Sequence, residues 1–436
     1  MEGLETAMNH NGVSRRGFLK GAAMAGSALA FPNLVPSTVF GAGAPSNRIV
    51  MAGIGLGGMG SGNMNSFLSK QEVQFVAVCD LDASHLKRAK GTVDKKYGNT
   101  DCKTYHDFRE VIARGDLDAI SMATPDHWHA LVACSALRAG IDMYGEKPIT
   151  HDLREGRVLA NTCKKFGRVW QTGSWQRSQE NFHLAAELVR NGRVGNIHTV
   201  EVGLPDGRPG EIKPVQPVPE EMDWDFWLGP TPWRPFQGVS HWDWRWVLDW
   251  GGGQMMDWIG HHADIAQWGL GTQETGPVEI ESNGCELPTD GIYDAPTSYK
   301  FTATFANGAK MVVANAKQQP KGMGARWIGD RGWIWVDRGG IDSEPKSLLR
   351  EKIGANEIHL YKSRDHHQNF LDCVRTRRVT ITPAEVAHRS ASIGHLGLIA
   401  MLTGRKIRFN PATEEILGDS SASAMLGRAY REPWVL

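Results

Sequence analysis

Three glycines, Gly55, Gly57 and Gly60, follow directly on a short apolar run, Arg48-Ile-Val-Met-Ala-Gly-Ile54. A run of that length suits a strand buried on both faces, and a helix beginning near Gly60 continues through Phe67 and Leu68. The Gly-x-Gly-x-x-Gly spacing allows a tight turn, backbone approach to a pyrophosphate and close packing of helix on strand. In a chain with 50 glycines the spacing alone decides little. What sharpens it is Asp80, 20 residues after Gly60, at the end of a second strand, Val73–Cys79. A carboxylate there binds a ribose 2′-hydroxyl and repels a 2′-phosphate. Together these features predict a dinucleotide site built from Gly55, Gly57, Met59, Gly60 and Asp80. Asp80 and Asp82 favour NAD over NADP, although Lys87 and Arg88 follow at close range.

The same rhythm continues for about a hundred residues. Helix is expected at 86–97, strand at 119–123, helix at 129–139 and strand at 141–144, the alternation of a doubly wound parallel sheet. Beyond about residue 165 the strands lengthen and alternate partially. Asn307-Gly308 marks a hairpin between 298–305 and 309–314, and 327–329 and 332–336 extend the pattern. The fold class is therefore α/β: an N-terminal Rossmann sheet followed by an α+β domain with a large, mostly antiparallel sheet. The expected divisions are 1–44 (signal and linker), 45–165 (NAD-binding domain), 166–410 (substrate and oligomerisation domain) and 411–436 (tail). The Pro-rich residues 206–238 read as a long loop.

Glu146-Lys147-Pro148 stands at the carboxyl edge of the parallel sheet, where such sheets bind ligands. A residue before proline is held extended, which gives the Lys147 ammonium a fixed direction. If Gly251–Gly253 precede a helix, Asp257, His261, Asp264 and Trp268 fall on one of its faces. An imidazole beside a carboxylate is a proton relay in prospect. The glycine turn, Thr124-Pro125 after a strand, Glu146-Lys147-Pro148, and the later Gly-Gly-Gly with Asp-x-x-x-His resemble the Gfo/Idh/MocA oxidoreductases from about residue 47 to 410. The resemblance implies that Lys147 lies beside nicotinamide and the substrate hydroxyl, and that Asp257 and His261 are its catalytic partners. It also places Thr124, Pro125, His129 and Glu146 along the cofactor. On this reading His261 serves as base or relay, oriented by Asp257, and Lys147 polarises the oxygen; which of Lys147 and His261 moves the proton stays open. His127, His129, His261, His262, His366 and His367 are also metal-capable, but adjacent histidines on a helix diverge by about 100°, so no metal is expected.

Nine of the sixteen tryptophans lie between Trp224 and Trp268. They suit either a cleft that stacks sugar faces or ordinary core packing. Trp175, Arg177, His241, Arg245 and Asp264 are candidate substrate contacts. The family resemblance implies a small carbohydrate-type substrate and a homodimer or homotetramer. Two chemistries follow from it: net oxidation of a sugar, polyol or glycoside carbinol, or redox-neutral glycoside hydrolysis through transient oxidation by held NAD.

Lys plus Arg and Asp plus Glu both number 48, which gives no footprint for nucleic acid or an anionic membrane. Ser14-Arg-Arg-Gly-Phe-Leu-Lys20 resembles a twin-arginine export signal. The apolar run from Gly21 to Ala30 is too short for a stable membrane span. Cleavage after Ala30 or Ala44, export by the twin-arginine machinery and a periplasmic location are expected. The six cysteines form no CxxC pair, so no disulfide framework is expected.

Overall fold

A computed structural model describes residues 47–239 and 241–436. The expected export signal and the expected cleavage sites lie outside the described residues. The N-terminal sheet has six strands: β1 (Ile49–Ile54), β2 (Val73–Cys79), β3 (Lys103–Tyr105), β4 (Ala119–Met122), β5 (Asp142–Gly145) and β6 (Trp170–Thr172). They run in the order β3-β2-β1-β4-β5-β6, every pair parallel. This is the Rossmann order, whose direction of winding reverses between β1 and β4 and opens a crevice at the strands' carboxyl ends.

Helices α1 (Gly58–Leu68), α2 (Ala83–Tyr97), α3 (Phe108–Ile112), α4 (Asp126–Arg138) and α5 (Leu153–Phe166) connect the strands. Two of them start three residues earlier than the sequence pattern suggests, for local reasons. Asp82 caps α2 by accepting hydrogen bonds from the Ser84 and His85 amides. Pro125, with φ −59°, stands at the N-cap of α4. Apolar periodicity is silent about both, because neither a capping carboxylate nor a proline belongs to the periodic apolar face.

The second sheet holds β7 (Ile197–Leu204), β8 (Glu279–Glu286), β9 (Ser298–Thr304), β10 (Lys310–Asn315), β11 (Gly324–Gly329), β12 (Gly332–Asp337), β13 (Gly340–Glu344), β14 (Ile407–Asn410) and β15 (Glu415–Ile416). Their order is β13-β12-β11-β7-β10-β9-β8-β14-β15, and only β7 with β10 is parallel. Helices α6 (Glu180–Arg190), α7 (Trp224–Leu228), α8 (Gly253–Leu270), α9 (His366–Thr376) and α10 (Ala384–Thr403) complete the fold. The larger core lies between this sheet and α6, α8 and α10, with Phe182, Ile259, Phe301, Trp327 and Leu396 wholly buried.

Five tryptophans of the expected cluster, Trp224, Trp227, Trp244, Trp246 and Trp250, form a separate buried nucleus with Phe236 and Tyr293. Trp224 and Trp227 stack at 4.8 Å, and Trp250 meets Trp227 edge-on at 5.0 Å. Packing thus claims most of the cluster, and this nucleus ties the Pro-rich segment to the fold. The C-terminal residues are ordered as well. Trp434 stacks on Phe226 at 5.3 Å and meets Trp128 edge-on at 4.7 Å, while Arg428 and Tyr430 both donate to the buried Glu155. All six cysteines are free thiols. No helix among the described residues is long and apolar enough to cross a membrane.

Candidate active site

A cleft of about 510 Å³ runs along the carboxyl edge of the parallel sheet and reaches α8 of the second domain. One end is built for a dinucleotide. Gly55 has φ +76°, and a side chain there would meet the Ala123–Thr124 backbone at 2.8 Å. A Cβ on Gly60 would lie 1.8 Å from the Gly55 carbonyl oxygen, so α1 packs on β1 only because that atom is absent. The first amides of α1 carry no side-chain cap, which leaves them for an anion. Met59, Thr124, Pro125, His129 and Glu146 all line the cleft.

Asp80 accepts hydrogen bonds from the Leu56 amide at 2.5 Å and the Asp82 amide at 2.9 Å, so its carboxylate braces the glycine turn as well as facing the ribose position. Arg88 donates to the Leu56 carbonyl at 3.0 Å and is thereby committed to the turn rather than to a 2′-phosphate. These features fit NAD. His129 contacts the Pro148 carbonyl at 2.8 Å and the Thr124 carbonyl at 2.9 Å. Burial pushes its pKa down to about 4, so the ring is neutral and its single N–H serves one carbonyl at a time. Asn63 donates to the buried Glu146 carboxyl at 2.9 Å, and burial raises the pKa of that carboxyl.

The other end of the cleft gathers residues far apart in sequence. The Lys147 ammonium donates to Asp257 Oδ1 and to the Asp257 carbonyl, both at 2.9 Å. Arg245 Nε donates to the same Oδ1 at 3.0 Å, and the guanidinium lies 3.9 Å from the Trp242 ring and 4.4 Å from that of Trp244. Burial by itself would raise the Asp257 carboxyl, but Lys147 and Arg245 outweigh it and hold the pKa below the ordinary value. Gly260 makes this approach feasible: a Cβ there would stand 3.2 Å from the Lys147 Cβ.

His261, one turn beyond Asp257, is 4% exposed and lines the cleft. Burial, reinforced by Lys147 and Arg338, pushes its pKa well below the ordinary histidine value, so the ring is neutral. Its Nδ1 is buried without a hydrogen-bond partner among the described residues. Asp257 was expected to orient this ring; its carboxylate instead binds Lys147 and Arg245, because two cations outcompete a neutral imidazole for it.

Two expected substrate contacts fall outside the cleft, and a third lies at its nucleotide end. Arg177 and Asp264 bind each other through two bonds of 2.6 and 2.8 Å, with side chains 3% and 2% exposed, and neither lines the cleft. A charged pair so deeply buried neutralises itself and presents nothing to a ligand. His241 lines the cleft at its nucleotide end, 3.5 Å from Asp82 and 4.9 Å from the His85 ring. Asp82, His85 and His241 bring potential ligand atoms within 4.8 Å of one another, but Asp82 caps α2 and His85 leans on Asp80. Trp175 and Arg245 do lie at the reacting end. Sequence reasoning missed Arg338, at the tip of the β12–β13 turn, and Asp126, whose carboxyl burial raises well above its usual pKa. Neither carries a periodic or motif signal; both reach the cleft through tertiary packing.

The description "oxidoreductase family, NAD-binding Rossmann fold" matches residues 48–174, and "oxidoreductase family, C-terminal alpha/beta domain" matches residues 209–436. The chain belongs to the Gfo/Idh/MocA oxidoreductase family. As in the family descriptions, it joins an NAD-binding Rossmann domain to a C-terminal alpha/beta domain. It is 22% identical over 374 residues to a myo-inositol 2-dehydrogenase of Thermotoga maritima, covering 84% of this chain and 98% of that one. A glycosyl hydrolase family 109 protein of Saccharopolyspora erythraea is 32% identical over 208 residues, 43% of this chain and 44% of that relative. The WlbA dehydrogenase of Bordetella pertussis, solved with NADH and UDP-GlcNAcA, has the same fold at a TM-score of 0.61 and 17% identity, covering 83% of this chain and 99% of that one.

Proposed function

We propose that this oxidoreductase moves a hydride between the carbinol carbon of a sugar, polyol or glycoside and a tightly held NAD. The observation that carries the reading is the Lys147–Asp257 contact beside a neutral His261. An ammonium has three N–H donors, and Asp257 takes two of them. The third is left for the substrate oxygen, where it stabilises negative charge as the O–H bond weakens. Asp257, fixed in turn by Arg245, holds the ammonium in place. His261, neutral and lining the same cleft, takes the hydroxyl proton. Bound NAD supplies the hydride acceptor, so the carbinol becomes a carbonyl and its two hydrogens leave as hydride and proton. Trp175, Trp242 and Trp258 line the same cleft.

The partial match to a glycosyl hydrolase favours a second reading, in which the same oxidation is followed by loss of the aglycone and re-reduction. Purified protein separates the two. The first predicts a rise in absorbance at 340 nm with NAD and a sugar panel. The second predicts phenol release from aryl glycosides without net reduction. Neither signal, with no NAD on the purified protein, overturns both. Lys147→Ala and His261→Ala should each lower kcat/KM by about 100-fold or more.

Export through the twin-arginine pathway to the periplasm belongs to this proposal. Arg15→Lys with Arg16→Lys should leave the protein in the cytoplasmic fraction of its host. A homodimer or homotetramer formed through the large sheet is the proposed assembly, read by light scattering.

A further inference from the structure

The reacting end of the cleft carries one cation more than its ion pairing uses. Lys147 and Arg245 share Asp257. Arg338 lines the same space and has no carboxylate in ion-pair range among the described residues. The other acids there offset it weakly, because burial raises the carboxyl pKa of both Glu146 and Asp126.

Arg338 stands on a turn fixed from both sides. Its turn is pinned by Asp337, which accepts from the Gly339 amide at 2.7 Å and the Gly340 amide at 3.0 Å, and whose carbonyl accepts from Asn181 at 2.6 Å. Its guanidinium carbon lies 4.4 Å from the Trp175 ring centre and 4.5 Å from that of Trp258. Indole faces hold a guanidinium by its plane and leave its N–H edge unpaired. The same two indoles pack edge-on against His261, at 6.2 and 5.4 Å. Arg338 and His261 therefore share the same two indoles as neighbours, and the Arg338 charge is felt at the His261 ring.

We propose that Arg338 receives a carboxylate on the substrate, so that the site takes an acidic, uronate-type carbohydrate in preference to the neutral sugar. This rests on the hydride-transfer reading of the same site. The planar two-pronged edge matches a carboxylate in bidentate geometry.

The test is calorimetric titration of the NAD-loaded full chain with matched pairs: glucuronate and glucose, galacturonate and galactose, mannuronate and mannose. At least one acid should bind tenfold or more tighter than its neutral partner, and the ratio should shrink as salt rises. Arg338→Met, which keeps the contact with both indoles, should bring the ratio near one while NAD affinity and melting temperature stay at the parent values. Equal binding of acids and sugars, binding of neither, or an undiminished ratio in Arg338→Met overturns the proposal. A fall in NAD affinity instead assigns Arg338 to the cofactor and overturns it too. Hexose 6-phosphates binding tighter than every uronate would replace the carboxylate with a phosphate. If neutral and acidic sugars reduce NAD equally well, the Arg338 assignment fails alone; if the acid binds selectively but nothing reduces NAD, the hydride-transfer reading fails.

Discussion

Replacing Arg177 by methionine separates a structural charge from a functional one. In the native protein Arg177 makes two bonds to Asp264, of 2.6 and 2.8 Å, one to Gln273 at 2.8 Å, and packs on the Trp268 ring at 4.8 Å. Methionine fills much of the stem's volume but leaves the Asp264 carboxylate buried and unpaired. Removing one member of such a pair costs about 3–5 kcal/mol, whereas an exposed pair such as Lys317–Asp206 is worth about 0–1 kcal/mol. The loss should depend on pH. Burial raises the Asp264 carboxyl even with Arg177 present. Without its partner, the folded state holds a proton that the unfolded chain releases near its ordinary pKa. The variant is then relatively most stable at acid pH and loses stability as pH rises through the raised folded value. Urea unfolding followed by tryptophan fluorescence across this range gives the comparison. Arg177→Met with Asp264→Leu should recover much of the loss, since an apolar pair removes the stranded charge. A single variant within about 1 kcal/mol of the parent, or one that raises the sugar KM at unchanged stability, would refute the structural assignment.

Other outcomes follow from the same geometry. Gly60→Ala forces a methyl group into the Gly55 carbonyl and should lower NAD affinity by about tenfold or more, measured by nicotinamide fluorescence titration. Lys147→Ala removes the donor at the substrate oxygen, and kcat/KM should fall by about 100- to 10,000-fold. His261 acts as base in its neutral form, and its pKa lies well below the ordinary value, so the pH profile of kcat/KM should show no acid limb near the usual histidine pKa of about 6.5. A limb there that disappears in His261→Gln would contradict a neutral, buried His261.

The second half of the chain was less legible than the first. Buried parallel strands with glycine turns repeat the same grammar, so β1, β2, β4 and β5 stand out as apolar runs, while the three-residue β3 and β6 carry no such run and β6 lies beyond the expected end of the domain at 165. The Pro-rich segment and the C-terminal residues have no period of their own. Their order comes from contacts such as Trp434 on Phe226, between residues far apart in sequence.

What the sequence determined by itself was chemistry carried by local geometry. The turn at Gly55–Gly60 needs its missing Cβ atoms, Asp80 sits one strand away from it, and Lys147 and Asp257 stand in motifs whose spacing is set by a strand end and a helix turn. Tertiary structure decided which charges neutralise each other. Arg177, Arg245 and Arg338 are alike in sequence, yet one is buried against Asp264, one shares Asp257 with Lys147, and one is left with its donor edge open on two indoles. Charge pairing acts over a few ångströms between residues up to a hundred or more positions apart, so only the folded chain assigns the partners.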